Sequence, residues 1–376
     1  MHILLVEPAY YTRYPPLGLL KLASYHKLQG DTIELVRGCQ QTSSKPDRIY
    51  VTSLFTYSWK PVHDAVAHYK GLFPRTRLVL GGIYATLMPE HAQSSGADEI
   101  HKGLFKDAEN LLPDYSLVPE WEQSSIVFSH RGCIRSCPYC AVPTLESRKS
   151  PIKSISHLVW PEHKRAILWD NNTLGMSGWR DLVAELKELQ LSVDFNQGLD
   201  ARLIDEDVAE ELRGLKLNPV RMAYDVRGER KALQRAIPAL ERVGFKRRRM
   251  IIYVLYNWKD SPDEFFNRLR DLLEWGVVAY PMRFEPLNSL EKNQHVGPKW
   301  TVEQLEMVAK ARRVIGYGGA FPPYEGLRKK FVNANSFEEA FSLRPPTNDK
   351  GNGHESVKRL NSTLSLASKQ IAVSAA

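Results

Sequence analysis

Short apolar runs recur along this chain, and the segments between them read as amphipathic helices. HILLVE, from His2 to Glu7, is followed by LGLLKLASYHKLQG, a helix closed by Gly30, and then by DTIELV. DRIYVTSLF, a helical stretch from Trp59 to Phe73, and RLVLGGIYA continue the alternation. This pattern narrows the fold sharply. Strands separated by helices pair in parallel, and the crossover helices cover both faces of the sheet, which explains why the strands are apolar throughout rather than at every second position. The fold class is therefore α/β, beginning with a doubly wound sheet.

A sheet of this kind is Rossmann-like and meets ligands at the C-terminal ends of its strands. Those ends fall at Glu7, Pro8 and Ala9, at Thr52, Ser53 and Leu54, and at Gly81, Gly82 and Ile83. The glycine pair suits either a loop that a ligand approaches closely or a tight turn from strand to helix. No G-x-G-x-x-G follows the first strand, which argues against a nicotinamide site. PDYSLVPEWEQ has two prolines and no period, so residues 118–123 are expected to connect a domain at 1–117 to a second one.

After the connector the alternation resumes. SIVFS, RAILWDNN, LSVDFNQG, VRMAYDV, RMIIYVLYN and VVAYPMRFEP read as six strands, with helices such as WRDLVAELKELQ and PDEFFNRLRDLLEWG between them. From the second onward the strands end near Asp170, Asn196, Asp225, Asn257 and Glu285, a step of roughly 30 residues that suits a barrel's β/α repeat. Residues 124–320 are thus expected to form a partial (β/α)6 barrel of TIM type. Tyr256, Trp258, Tyr280 and Phe284 near the later strand ends either stack on a planar substrate or fill the core, with core packing expected for most. GYGGAFPPYEG reads as a lid over the barrel mouth or as an exit into the C-terminal extension, 321–376. That extension turns rich in Ser, Asn, Gly and Lys from about residue 344, where disorder is expected, or at most a short docking helix at SVKRLNSTLSL.

No apolar run approaches the roughly 18 to 20 residues that span a bilayer, and MHILLVEPAYY lacks the marks of a signal peptide, so a cytoplasmic protein without a membrane partner is expected. The 51 Lys and Arg exceed the 43 Asp and Glu, giving a formal charge of +8, which permits a nucleic acid or another polyanion as partner. The densest basic run, FKRRRM from Phe245 to Met250, immediately precedes an apolar strand and reads chiefly as a solvated face at the strand's N-terminal end.

Three of the four cysteines lie in one window, HRGCIRSCPYC, directly behind the strand SIVFS. Cys133, Cys137 and Cys140 are too few and too clustered for a secreted disulfide framework, and they suit a metal centre in a reducing compartment. An iron-sulfur cubane takes one thiolate at each of three corners and leaves its fourth iron open for a substrate or cofactor. A Cys3His zinc site using His130 is the alternative. Cys39, the remaining thiol, is expected to be a small buried apolar side chain.

At these residues the chain resembles the radical SAM superfamily, whose signature is C-x-x-x-C-x-aromatic-C, with Tyr139 at the aromatic position. The resemblance implies a [4Fe-4S] cluster held by Cys133, Cys137 and Cys140, with S-adenosylmethionine on the open iron. It also implies reductive cleavage to a 5′-deoxyadenosyl radical and a reducing partner such as a flavodoxin or ferredoxin. Residues implied to hold the cofactor are Tyr139, Asp170, Asn171 and the neighbouring Asn172, then Asn196, Gln197 and Asp225, with Arg202 or Arg221 for a carboxylate. The glycine-glycine-glutamate pattern usual after the second barrel strand is absent.

The N-terminal region resembles the cobalamin-binding-like domain that precedes many such barrels, through PPLGLLKLASYHKLQGDTIELV, VTSLF, LVLGGIYATLMPEH and the PDYSL connector. The D-x-H-x-x-G segment that supplies a histidine to cobalt is replaced here by YYTRYPP, so either cobalamin binds without a protein histidine or the fold is present without it. With Cys39 alone left over, methylthio transfer and auxiliary-cluster chemistry are disfavoured. The expectation is a radical enzyme acting on an organic substrate, with cobalamin-dependent C-methylation the natural use of two such domains. Modification of a tRNA or DNA base, and a non-catalytic iron-sulfur sensor, are the alternatives.

Overall fold

The computed structural model describes residues 1–146 and 149–343. Among these residues the strands are β1 (His2–Glu7), β2 (Thr32–Arg37), β3 (Arg48–Val51), β4 (Arg77–Leu80), β5 (Glu99–Ile100), β6 (Ser124–Val127), β7 (Arg165–Leu168), β8 (Ser192–Phe195), β9 (Lys216–Leu217), β10 (Val220–Ala223), β11 (Met250–Tyr256) and β12 (Val278–Arg283). The α-helices are α1 (Leu17–Leu28), α2 (Trp59–Leu72), α3 (Ile83–Leu87), α4 (Pro89–Gln93), α5 (Val142–Leu145), α6 (Trp179–Glu188), α7 (Glu206–Leu212), α8 (Arg230–Arg242), α9 (Pro262–Glu274), α10 (Val302–Val314), α11 (Glu325–Asn333) and α12 (Phe337–Phe341). The chain is mixed α/β with parallel sheets, and it divides into two compact units. One holds Met1–Asp194 with Glu285–His295, the other Phe195–Phe284 with the described residues from Val296 to Leu343. No helix among the described residues is long and apolar enough to cross a membrane.

The first unit opens with a five-stranded sheet in the order β2-β1-β3-β4-β5, and every pair in it is parallel. Because successive side chains point to opposite faces, β1 feeds two cores. Leu4 and Val6 join Val62, Val66 and Tyr69 of α2, whereas Ile3 and Leu5 join Leu19 and Ala23 of α1. Burying each large apolar side chain contributes about 1.5–3 kcal/mol, so both helices are held chiefly by this contact. The strands β6, β7 and β8 follow as neighbours in that order, with β6 and β7 parallel.

Three details differ from the pattern in the sequence. The strand expected at RLVLGGIYA stops at Leu80, because Gly82 turns with φ +100° and Ile83 opens α3. The Ile83 amide donates to the Ser53 carbonyl and the Ser53 hydroxyl donates to the Gly81 carbonyl, so the glycine pair is a tight turn clasped by Ser53. The two-residue strand β5 is too short to show a period. The connector is well packed, with Tyr115 and Val118 buried against Leu20, and the Tyr115 hydroxyl accepts the Ile126 amide at 2.7 Å. The first compact unit runs on to Asp194.

In the second unit, β10, β11 and β12 form a parallel three-stranded sheet. The helix α9 starts with a reciprocal cap in which the Ser261 hydroxyl accepts the Glu264 amide and the Glu264 carboxylate accepts the Ser261 amide. Phe265, Phe321, Phe331, Phe337 and Phe341 pack into one aromatic core. Tyr256 and Tyr280 are buried, as core packing requires, whereas Trp258 and Phe284 are half-buried. The GYGGAFPPYEG segment is pinned to the end of the sheet. Ala279 of β12 and Phe321 exchange two backbone hydrogen bonds, and Phe321 is fully buried. The basic run sits just before β11, where Arg247 pairs with Glu241 and donates to the Trp275 carbonyl, while Lys246, Arg248 and Arg249 are exposed. The region expected to be disordered from about residue 344, including SVKRLNSTLSL, lies outside the described residues.

Gly82→Ala is the sharpest test of the first sheet. An added Cβ would lie 2.2 Å from the Ser53 carbonyl oxygen at a φ that L residues avoid. The expected loss is about 2–4 kcal/mol, read as a lower urea midpoint at unchanged slope. Gly71→Ala in α2, where a Cβ meets nothing within 4 Å, should be neutral or slightly stabilising.

Candidate metal centre

The cysteine loop leaves the C-terminal end of β6, beside the end of β7. Where the strands stop, a side chain takes over their pairing. Asp170, two residues past β7, is buried, and its Oδ1 accepts the backbone amides of Ser129 at 2.8 Å and His130 at 3.3 Å. Its Oδ2 accepts the Ser129 hydroxyl at 2.6 Å. Lys153 donates its amide to the Ser129 carbonyl from the far side of the loop. Asp170, expected among cofactor ligands, thus holds the loop entrance with both oxygens. His130 is buried as well, with Nδ1 3.5 Å from Asp170 Oδ1 and with no hydrogen-bond partner at Nε2.

Arg131 and Gly132 carry the chain from this anchor to the thiols. Gly132 turns with φ +81°, which a residue with a Cβ adopts only at a cost. Its amide donates to Glu146 Oε2 at 2.7 Å, and Asn171 Nδ2 donates to the same oxygen at 2.7 Å. The Arg131 guanidinium lies 3.4 Å over the Phe128 ring. It donates to Glu146 Oε1 through Nη1, and to Glu109 Oε1 through Nε and Nη2. Behind Glu109 stands Lys21 of α1, buried, with Nζ 2.8 Å from the Glu109 carbonyl and 3.3 Å from its carboxylate. Burial pulls the Lys21 pKa down to about 8, against the opposing pull of Glu109.

The three thiols are half-buried. Backbone amides approach two of them, Arg135 N at 3.3 Å from Cys133 Sγ and Val142 N at 3.5 Å from Cys140 Sγ. Cys140 N donates to the Cys137 carbonyl, closing a turn between the last two thiols. Ile134 packs against Gly175, where a Cβ would come within 2.6 Å of its Cδ1. Among the described residues, no three His, Cys, Asp or Glu side chains are gathered to hold a single metal ion. A cubane asks for something different, since its protein ligands go to separate irons and need not converge on one point. Three thiols in one turn-closed loop, two with amide donors, fit that demand.

The other residues expected at the site belong to both units. Asn171 orients Glu146, Tyr139 is half-buried within the loop, and Asn172 is buried beside Gly175. In the second unit, Gln197 donates to Asn196 at 3.4 Å, both following β8. Asp225 accepts the Leu255 amide and so bridges the ends of β10 and β11. Arg202 forks onto Asp200, and Arg221 is fully buried and donates to the Tyr253 hydroxyl. Cys39 is exposed rather than buried, because Gly38 turns the chain outward after β2. Partial desolvation and the nearby Asp64 push its thiol above the ordinary value. Glu109, Glu146 and Lys21 were not legible as site residues, since nothing in their local sequence announces contacts this distant.

Asp170→Ala leaves two buried amides without an acceptor. It should lower stability by about 2–4 kcal/mol in urea unfolding, and Ser129→Ala, which removes one hydroxyl, by about 1 kcal/mol.

No protein-family model and no curated protein matches the chain. Among solved structures, it is similar to the coproporphyrinogen III oxidase of Escherichia coli, a radical SAM enzyme, at 13% identity with a TM-score of 0.39. The similarity covers 55% of this chain and 57% of that one, so the chain spans little more than half the length of the solved structure.

Proposed function

We propose that this protein is a radical SAM enzyme whose [4Fe-4S] cluster is held by Cys133, Cys137 and Cys140. The observation that carries this reading is the sequence C-x-x-x-C-x-Tyr-C at its place in the fold, a loop that leaves one parallel strand and is tied to the next by a buried carboxylate. When bound, the cluster would supply one electron and an open iron for S-adenosylmethionine, whose cleavage gives a radical able to abstract hydrogen from an organic substrate.

The chain's own part is to place and shield that chemistry. Asp170 fixes where the loop begins, and Glu146 fixes Gly132 and Asn171 relative to each other. The amides of Arg135 and Val142, which approach two of the sulfurs, would donate to the thiolates of a bound cluster, a kind of contact that tunes its reduction potential. Phe128 and Trp169 pack edge to face at 6.0 Å beside the loop entrance, an apolar wall that limits water at its base. Tyr139 and Asn171 are assigned to the bound cofactor. An external one-electron donor of flavodoxin or ferredoxin type completes the system.

Cobalamin stands apart. The strand order 2-1-3-4-5 is the flavodoxin-like order, in which ligands meet the sheet at β1 and β3. The loop after β1 contains no histidine, so a cobalamin held by a protein histidine does not fit.

Anaerobic protein, reconstituted with iron and sulfide and then given dithionite and S-adenosylmethionine, should release 5′-deoxyadenosine, and Cys137→Ala should release none above background. Methylcobalamin added in parallel should leave the yield of S-adenosylhomocysteine unchanged. A fully loaded, reducible cluster that produces no 5′-deoxyadenosine would favour an iron-sulfur sensor instead.

A further inference from the structure

A run of alternating charges joins the first helix of the N-terminal sheet to the cysteine loop. Lys21 on α1 meets Glu109, Glu109 meets Arg131, Arg131 meets Glu146, and Glu146 meets the Gly132 amide. Each charge is largely covered by protein, from 6% side-chain exposure at Lys21 to 22% at Glu109. All of these residues lie in one compact unit.

We infer that the N-terminal sheet is a scaffold for the metal centre, presetting the cysteine loop through Lys21, Glu109, Arg131 and Glu146 before any metal arrives. The argument begins from what the loop lacks. Between Val127 and Val142 there is no helix or strand, so the conformational entropy of that segment has to be opposed from outside it. Asp170 anchors only the entrance. Beyond it, Ser150 clasps the Arg131 backbone, accepting its amide at the hydroxyl and donating its own amide to the Arg131 carbonyl, while Glu109 and Glu146 hold the Arg131 guanidinium and Glu146 accepts the Gly132 amide.

Glu109 belongs to neither the loop nor the strands that carry it. It sits beyond β5, in a stretch where Leu112 and Asp114 run back along α1, and the Leu112 carbonyl accepts the Ser24 hydroxyl at 2.6 Å. The Asp114 amide donates to the Leu20 carbonyl, and its carboxylate pairs with Lys27. Displacing α1 therefore moves Glu109, and displacing Glu109 leaves Arg131 with half its partners. Arg131 suits this post because its planar fork meets two carboxylates while its face lies on Phe128, which a lysine cannot do. These are positioning residues, since none of them touches sulfur in the structure.

This inference rests on the cysteine loop being a metal centre, yet its test begins with the metal-free protein. Full-length chain, reduced and iron-free, is titrated with a thiol reagent, and each cysteine is followed by mass spectrometry, with exposed Cys39 as the internal standard. Glu109→Gln should raise the reaction rates of Cys133, Cys137 and Cys140 at least fivefold relative to Cys39. After reconstitution the same variant should lose iron to a chelator at least fivefold faster and show a shifted electron paramagnetic resonance spectrum of the reduced cluster. Arg131→Lys, which keeps the charge and loses the fork, should fall between the two, and it takes over the test if Glu109→Gln unfolds. Glu109→Gln and Glu146→Gln combined should change the rates by less than the product of their single effects, because both act through Arg131.

Unchanged loop-thiol rates in Glu109→Gln and Arg131→Lys would overturn the scaffold, whatever the cluster does. A wild type that takes up no cluster, while the variants still loosen the loop, would overturn the enzyme reading and leave the scaffold standing.

Discussion

A carboxylate deprived of water settles where everything else in this site can be. Asp170 satisfies three donors at the mouth of the cysteine loop, and in a dry setting each of those bonds is strong while an unmet donor is costly. The ends of β6 and β7 are thereby locked at the point where their own pairing runs out. Given that fixed origin, Arg131 and Gly132 have only to turn once for the thiols to follow. Without it, the charges at Glu109 and Glu146 would hold a loop whose starting point wandered.

Much of the architecture was legible because the strands obey a simple rule. Residues buried on both faces must be apolar in succession, so HILLVE, RLVL and MIIYVLY announced themselves, and the glycines at 30 and 82 marked turns. The cysteine signature was legible for a different reason, since three thiols within one turn-forming window have few other uses. What escaped notice was long-range and polar. Glu109 and Glu146 are ordinary acidic residues in their local sequence, and their importance comes from partners 22 and 15 residues away in the chain. The packing of PDYSL was hidden for the same reason, since it lacks a period yet places Tyr115 against Ile126 and Asp114 against Lys27.

The strand-end polar residues teach a related point. Asp170, Asn171, Asp225 and Arg202 all read as groups awaiting a ligand, and each has a protein partner in the structure. A polar residue where a strand stops faces two demands at once, because the backbone groups freed there also need partners. Sequence position reveals the polarity but not which demand it answers.

The bridge between Ala279 and Phe321 has an effect beyond local order. The strand β12 is an edge of its three-stranded sheet, and an uncovered edge offers amides and carbonyls to any other extended chain. By turning GYGGAFPPYEG back so that Phe321 takes both hydrogen bonds of Ala279, the protein occupies part of that edge with its own backbone, and Pro322 and Pro323, lacking amide hydrogens, cannot extend the ladder. A glycine- and proline-rich stretch thus leaves less of that edge open to pairing with another extended chain.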